Sequence, residues 1–184
     1  MEVMERSDGD IIKQCLKGNK ELFAILVDRY KKQIVVYIFS LVKDREEAND
    51  LAQETFIRVY KNLWKYNQQY KFSTWIYQIA KNLSLDYLKK KRPTLVSEEY
   101  IDAVEDKRGS PEQSTLNKEM QQELLKAVNQ LAPQLRETLV LYHINNLSYK
   151  EISETRKISV SKVKNQLFQA RKKLKEMMAE GGVK

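Results

Sequence analysis

Cysteine and histidine each occur once in the 184 residues, proline three times and glycine five times. A lone cysteine cannot close an internal disulfide, which excludes the disulfide-stapled secreted class. One His and one Cys make no ligand cluster for a zinc site, so no metal or cofactor is expected. With so few glycines there is no glycine-rich phosphate loop, and nothing else suggests convergent acid, base or nucleophile chemistry. An enzyme with a small-molecule substrate is therefore not expected. Apolar runs such as Ile34–Phe39 stop at six residues, far short of the ~18 that a membrane span requires. The opening MEVMERSDGD is polar and acidic, unlike a secretory signal, so the expected setting is cytoplasmic.

What is present is charge. Lys and Arg number 33 against 25 Asp and Glu, a net of +8, which suggests a polyanionic partner. Residues 1–92 carry a net of +6, residues 93–122 a net of −4, and residues 123–184 again +6. The acidic stretch also holds Pro93, Gly109, Ser110 and Pro111, residues that interrupt helices. The pattern predicts an all-α chain of two small helical domains, 1–92 and 118–184, joined by a flexible acidic linker at 93–117.

Helical periodicity fills both basic blocks. Asn19 is placed to cap a helix bearing Leu22, Leu26, Tyr30, Ile34, Tyr37, Ile38 and Leu41. Asp44 and Glu47 have capping-box spacing ahead of a helix with Ala48, Leu51, Ala52, Thr55, Val59 and Leu63 on one stripe. After the polar, aromatic stretch WKYNQQYK, Ser73 or Thr74 is expected to start a third helix, with Phe72, Trp75, Ile76, Ile79, Ala80 and Leu83 inward. That helix ends in Lys89-Lys90-Lys91-Arg92 before Pro93. In the second block Pro133 suits the first turn of a helix with Leu135, Leu139, Val140 and Tyr142. Ser148 and Glu151 form another capping box, and a last helix carries Val160, Val163, Leu167, Ala170 and Leu174. Two helices joined by a tight turn read as a helix-turn-helix. From Arg156 to Lys175 there are eight basic residues and no acidic one, and amides interleave with them, as suits nucleic acid. His143, with no partner in sight, reads as a structural residue at a helix end, and Cys15 as a buried thiol.

These stretches carry a resemblance. DREEANDLAQETFIRVYKNL with FSTWIYQIAKNLSLDYLKKKR, followed by LSYKEISETRKISVSKVKNQLFQARKKLKEM, resembles the two conserved domains of extracytoplasmic-function sigma factors of bacterial RNA polymerase. The resemblance implies a non-enzymatic protein that binds core RNA polymerase and promoter DNA and initiates transcription, typically in response to stress. It also implies an anti-sigma factor as partner, in some cases membrane-bound. A stand-alone helix-turn-helix regulator is the rival reading, but it would need a ligand domain or dimer seam that the first block does not supply.

The family's polymerase contact maps to Asp50, Gln53 and Glu54, with Arg58 and Lys61 extending the same helix face. Without the resemblance, that face reads as solvated, with a Glu54–Arg58 pair. The minus-ten element, read as unstacked single strand, maps to the loop residues Trp64, Tyr66, Asn67, Tyr70 and Lys71 and to Gln78, Lys81, Asn82 and Lys89 on the next helix. The minus-thirty-five element maps to Ser161, Lys162, Lys164, Asn165, Gln166, Gln169, Arg171 and Lys172. The sequence departs from the family where Arg156 replaces an apolar residue, Lys157 the turn glycine, Ser161-Lys162 a Gly-Thr pair and Gln166 a common arginine. Lys157 is therefore expected in a left-handed conformation. The 25 linker residues would average ~28 Å end to end as a coil, against ~70 Å between the promoter elements. A compact free form is expected, with the acidic linker against one of the domains.

Overall fold

The computed structural model describes residues 6–91 and 123–181, and every regular element among them is helical. The linker 93–117, Arg92 and Met120 lie outside the described residues. Helix α1 (Asp8–Leu16) is capped by Ser7, whose hydroxyl accepts from the Asp10 N–H. It turns Ile11, Ile12 and Cys15 into the core but leaves Leu16 exposed. A short 3-10 turn, Lys20–Leu22, then precedes helix α2 (Phe23–Val42). Asn19 heads that turn but makes no capping bond. Its side chain donates instead to Gln14 Oε1 at 2.9 Å, so the helix starts later than its apolar pattern predicts. The β-branched run Ile34–Phe39 is helical throughout.

Asp44 caps helix α3 (Arg45–Lys61) by accepting from the Glu47 N–H. Helix α4 (Phe72–Lys90) begins one residue before Ser73. Lys71 is its N-cap and no side chain caps it, because Phe72 is anchored in the core by edge-on contacts with Tyr30 and Tyr66. In the C-terminal half, residues 123–130 form α5, followed by α6 (Pro133–His143), α7 (Tyr149–Arg156) and α8 (Val160–Gly181). The capping box at Ser148 and Glu151 is complete in both directions. Lys157 ends α7 at φ 55° and ψ 47°, the left-handed region, and Ser159 then caps α8 at the Lys162 N–H.

The two halves pack against each other, α6 on α2 and α7 on α4. The second half of α2, residues 34–42, is apolar on nearly all sides. Helices α3 and α4 cannot cover all of it, so α6 shields the remainder. One apolar core therefore runs from Ile34, Tyr37 and Ile38 to Val140, Leu141, Ile152 and Val163. Leu131, Leu135, Leu139 and Ala170 form a smaller second cluster. The compact arrangement expected from the linker length is thus seen, while the placement of the linker itself lies outside the described residues.

Candidate nucleic-acid interface

Three exposed surfaces carry the residues singled out from sequence. The first is the outer face of α3. Asp50, Gln53, Arg58 and Lys61 are exposed there and Glu54 partly so. Arg58 Nε donates to Glu54 Oε1 at 2.8 Å, so the internal pair of the solvated-face reading is present. The spacing also brings Ile57 to this face, 47% exposed, and Trp64 beyond the helix end, 70% exposed. Sequence reasoning missed Ile57. The available signal was an isoleucine off the Ala48–Ala52–Thr55–Val59 stripe.

The second surface is the loop before α4 together with α4 itself. Trp64 is open to solvent and the Lys65 ammonium lies 5.0 Å from its ring centre. Tyr70 is 52% exposed. Tyr66 departs from the expectation of a free stacking platform. Its ring packs on Phe72 and Trp75, and its hydroxyl donates to the Tyr70 carbonyl at 2.6 Å. It shapes the loop from beneath, with Asn67 Oδ1 accepting from the Gln69 N–H to tighten the turn. Trp75 is half-buried on the core side, as its place on the apolar stripe predicts. Asn82 and Lys89 are exposed on α4. Lys71, Gln78 and Lys81 are all engaged by the C-terminal half. Lys71 Nζ lies 3.3 Å from Glu151 Oε1, Gln78 Nε2 donates to the Glu154 carbonyl at 3.1 Å, and Lys81 Nζ lies 3.1 Å from Glu137 Oε1.

The third surface is the outward side of α8. Ser161, Lys162, Lys164, Asn165, Gln169, Arg171 and Lys172 are exposed. Arg171 is positioned by His143, whose Nε2 faces its guanidinium, and by the Tyr142 ring 5.6 Å away. Burial and the Arg171 charge push the His143 imidazole below its ordinary pKa, so it stays neutral and accepts. Gln166 departs from the expectation of a groove-facing residue. Its Oε1 accepts from the Arg156 guanidinium and lies 2.8 Å from the Thr138 hydroxyl. Arg156 in turn meets Glu137 Oε2 at 2.9 Å. Two of the sequence departures thus complement each other: the cation at 156 is satisfied by the amide at 166. Phe168, missed from sequence, stands 68% exposed one turn from Asn165, Lys164 and Lys172. An aromatic off the Val163–Leu167–Ala170 stripe was its signal.

The fold and these surfaces define a two-part, all-helical protein with a basic helix-turn-helix at its C-terminal end. Residues 26–94 match the family model for Sigma-70 region 2, and residues 121–174 match that for Sigma-70, region 4. The chain is 34% identical over 183 residues to the ECF RNA polymerase sigma factor SigW of Bacillus subtilis (strain 168), spanning 92% of this chain and 95% of that protein. In fold it is similar to CnrH, whose structure was solved in complex with the cytosolic domain of CnrY. That match has TM-score 0.71 and 20% identity over 95% of this chain and 99% of that one. The sigma factor RpoE, solved with the anti-sigma factor NepR from Bartonella quintana, also matches at TM-score 0.71, with 18% identity over 85% and 96% of the two chains. The chain belongs to the extracytoplasmic-function sigma factors of bacterial RNA polymerase. It acts in promoter-directed initiation of transcription, with core RNA polymerase and promoter DNA as its partners.

Proposed function

We propose that this work is divided among the three surfaces. Asp50, Gln53 and Glu54, with Arg58, Lys61 and the apolar Ile57 between them, form the polymerase contact. Its charges pair with opposite charges on a polymerase helix while Ile57 is desolvated at the centre. Trp64 and Tyr70 offer faces for unstacked bases of the minus-ten strand. Asn67 and Asn82 offer amide edges, and Lys71, Lys81 and Lys89 neutralise phosphates. On α8, Asn165, Gln169 and Phe168 face the major groove of the minus-thirty-five element, with Lys162, Lys164, Arg171 and Lys172 on its backbone. Residues 1–92 and 118–184 would be the two functional domains, with 93–117 between them.

The chain works in this reading as a cytoplasmic binding protein rather than an enzyme, in a stress response and under an anti-sigma factor. RpoE was solved with a partner of that kind, the anti-sigma factor NepR. The observation that carries the division is that the α3 face and the α8 face are both exposed and both lie off the apolar stripes, on opposite halves of one chain. Reconstitution with purified core polymerase tests it. The chain should co-elute with core and direct run-off transcription from a subset of genomic fragments. Binding to those fragments without core, unchanged when core is added, would instead mark a stand-alone regulator.

A further inference from the structure

Two cations of the α8 surface are held by groups that leave their charge intact. Lys164 and Arg171 stand seven residues apart on one side of the helix, about 10.5 Å along its axis. Among the described residues neither is paired with a carboxylate, whereas Arg156 meets Glu137 and Lys172 approaches Glu176 at 4.0 Å. Their holders come from the end of α6 and the first turn of α7. The Tyr142 and Tyr149 rings lie together, centres 5.1 Å apart and planes 30° from parallel. The Arg171 guanidinium sits 5.6 Å from the Tyr142 ring centre and the Lys164 ammonium 6.0 Å from that of Tyr149. His143 stands edge-on to Tyr142 at 4.9 Å and turns Nε2 toward Arg171 Nη2 at 3.2 Å. Both tyrosines are partly buried, and both cations are exposed.

We infer that Tyr142, His143 and Tyr149 form a neutral shelf that aims Lys164 and Arg171 at the phosphates of the minus-thirty-five duplex before the DNA arrives. The inference rests on the reading of Lys164 and Arg171 as backbone contacts. A carboxylate would hold either cation equally well, but it would cancel the charge and each phosphate would have to displace it. The face of a tyrosine ring attracts a cation through its quadrupole and carries no net charge. The neutral His143 imidazole accepts from the guanidinium through one lone pair, which leaves the other N–H groups of Arg171 for a phosphate. Ordering these long, rotamer-rich side chains in advance lowers the freedom lost on binding, and each still displaces a counterion from the DNA. The shelf lies at the start of α7, the first helix of the helix-turn-helix, which in this motif crosses the backbone. It draws only on α6, α7 and α8, so its geometry belongs to the C-terminal half alone. Tyr142, His143 and Tyr149 are positioning residues, and Lys164 and Arg171 make the contacts.

The test uses the full chain reconstituted with core polymerase, on a genomic fragment from which the wild-type protein directs run-off transcription. Affinity for the fragment is measured over a range of salt, with circular dichroism and co-elution with core to check each variant. Tyr149→Leu is expected to weaken binding about two- to fivefold when Lys164 is present and to have little further effect in Lys164→Ala. Combined with Lys172→Ala, which lies off the shelf, the same change should be additive. At the other end, His143→Glu should pair with Arg171 and lower the salt slope by about 1, whereas His143→Gln, a neutral acceptor, should keep the higher slope. Additive losses in Tyr149→Leu with Lys164→Ala would overturn the shelf, because the ring would then act by packing alone. Equal slopes for His143→Glu and His143→Gln would overturn it too, because the Arg171 charge would then not be in use. Should Tyr149→Leu lose helix content, the His143 pair decides alone, since both replacements stand at an exposed helix end. Lys164→Ala and Arg171→Ala separate this result from the reading beneath it. Wild-type affinity in both would remove α8 backbone contact itself, whereas losses in both with an additive cycle would leave that contact standing and end only the shelf.

Discussion

Arg136 Nε donates to the Ser40 carbonyl oxygen at 2.7 Å, and its Nη1 donates to the Asn129 carbonyl at 2.9 Å. One guanidinium, only 4% exposed, thereby closes the C-terminal end of α2 and the end of α5 from α6. Burial lowers its pKa from the ordinary arginine value, yet its carbonyl partners keep it useful as a cation. Charge-assisted bonds of this kind are worth about 1.5–3 kcal/mol each, and orphaned carbonyls add to the loss. Arg136→Ala should therefore lower the free energy of unfolding by about 3 kcal/mol, measured by urea denaturation. A loss of a few tenths would mean the carbonyls are satisfied by water instead.

Arg136 and its neighbour Glu137 also mark where sequence reading stops. Asp44 and Ser148 were legible as caps because the group each one bonds lies three residues away. The α8 surface was legible because its cations form an uninterrupted run. Glu137 meets Tyr37 at a separation of 100 residues and Arg136 meets Ser40 at 96. No local period records such partners, and on a helix flanked by apolar residues a polar pair reads as solvent-facing. Gln166 was misjudged for the same reason: its orientation is set by Arg156 and Thr138 on other helices. Tyr66 was pulled inward by Phe72 and Trp75, which lie on the following helix.

The α3 face separates binding from stability. The Glu54–Arg58 pair is about half exposed, and i,i+4 pairs of this type contribute about 0.3–0.5 kcal/mol. Asp50→Ala with Glu54→Ala should leave helix content and thermal stability nearly unchanged while weakening the complex with core polymerase by tenfold or more, about 1.4 kcal/mol. Ile57→Ala should act in the same direction. Wild-type affinity in the double variant, measured by fluorescence anisotropy, would remove this face from the interface.

On α8 the inward and outward residues should part company. Asn165→Ala should change which duplex sequences are bound or used, and Lys172→Ala should weaken all of them alike and reduce the salt slope by about 1. Gln166→Ala should do neither. It removes one acceptor of the buried Arg156 guanidinium, which keeps its pair with Glu137, and costs about 1 kcal/mol of stability with little change in preference among the duplexes still bound. Competition binding on a randomised duplex pool distinguishes the three patterns. A specificity change from Gln166→Ala equal to that from Asn165→Ala would contradict the inward orientation.

Acid should loosen the seam at Glu151. Burial by itself would raise this carboxyl, but the Ser148 hydroxyl, the Ser148 backbone N–H and the Lys71 ammonium outweigh it, and the pKa falls below the ordinary value of 4.5. The folded state therefore favours the ionised form. Its stabilising contribution is fully present above the ordinary carboxylate range and is lost as pH falls through the lowered folded value. Between about pH 7 and about pH 3, thermal stability should decline less steeply in Glu151→Gln than in wild type. Parallel declines would show that Glu151 titrates alike in the folded and unfolded chains.

The turn between α7 and α8 offers a test of backbone strain. Lys157 holds φ 55° and ψ 47°, and its N–H donates to the Ser153 carbonyl. The next N–H, of Ile158, also returns to that carbonyl, at 3.1 Å, so the conformation is fixed by the turn and not by the side chain, which is exposed. A residue with a Cβ loses about 1–2 kcal/mol in this region relative to glycine. Glycine returns part of that advantage through the greater freedom of its unfolded chain, about 0.4–1 kcal/mol. Lys157→Gly should therefore stabilise the protein by about 0.5–1 kcal/mol. Lys157→Ala removes the ammonium and its stem but keeps the Cβ, so it should stay near wild type. The gap between the Gly and Ala variants isolates the backbone effect from any loss of charge on the DNA-facing side. If chemical denaturation placed the two variants at the same stability, the left-handed geometry would carry no strain and the turn would owe nothing to glycine at this position.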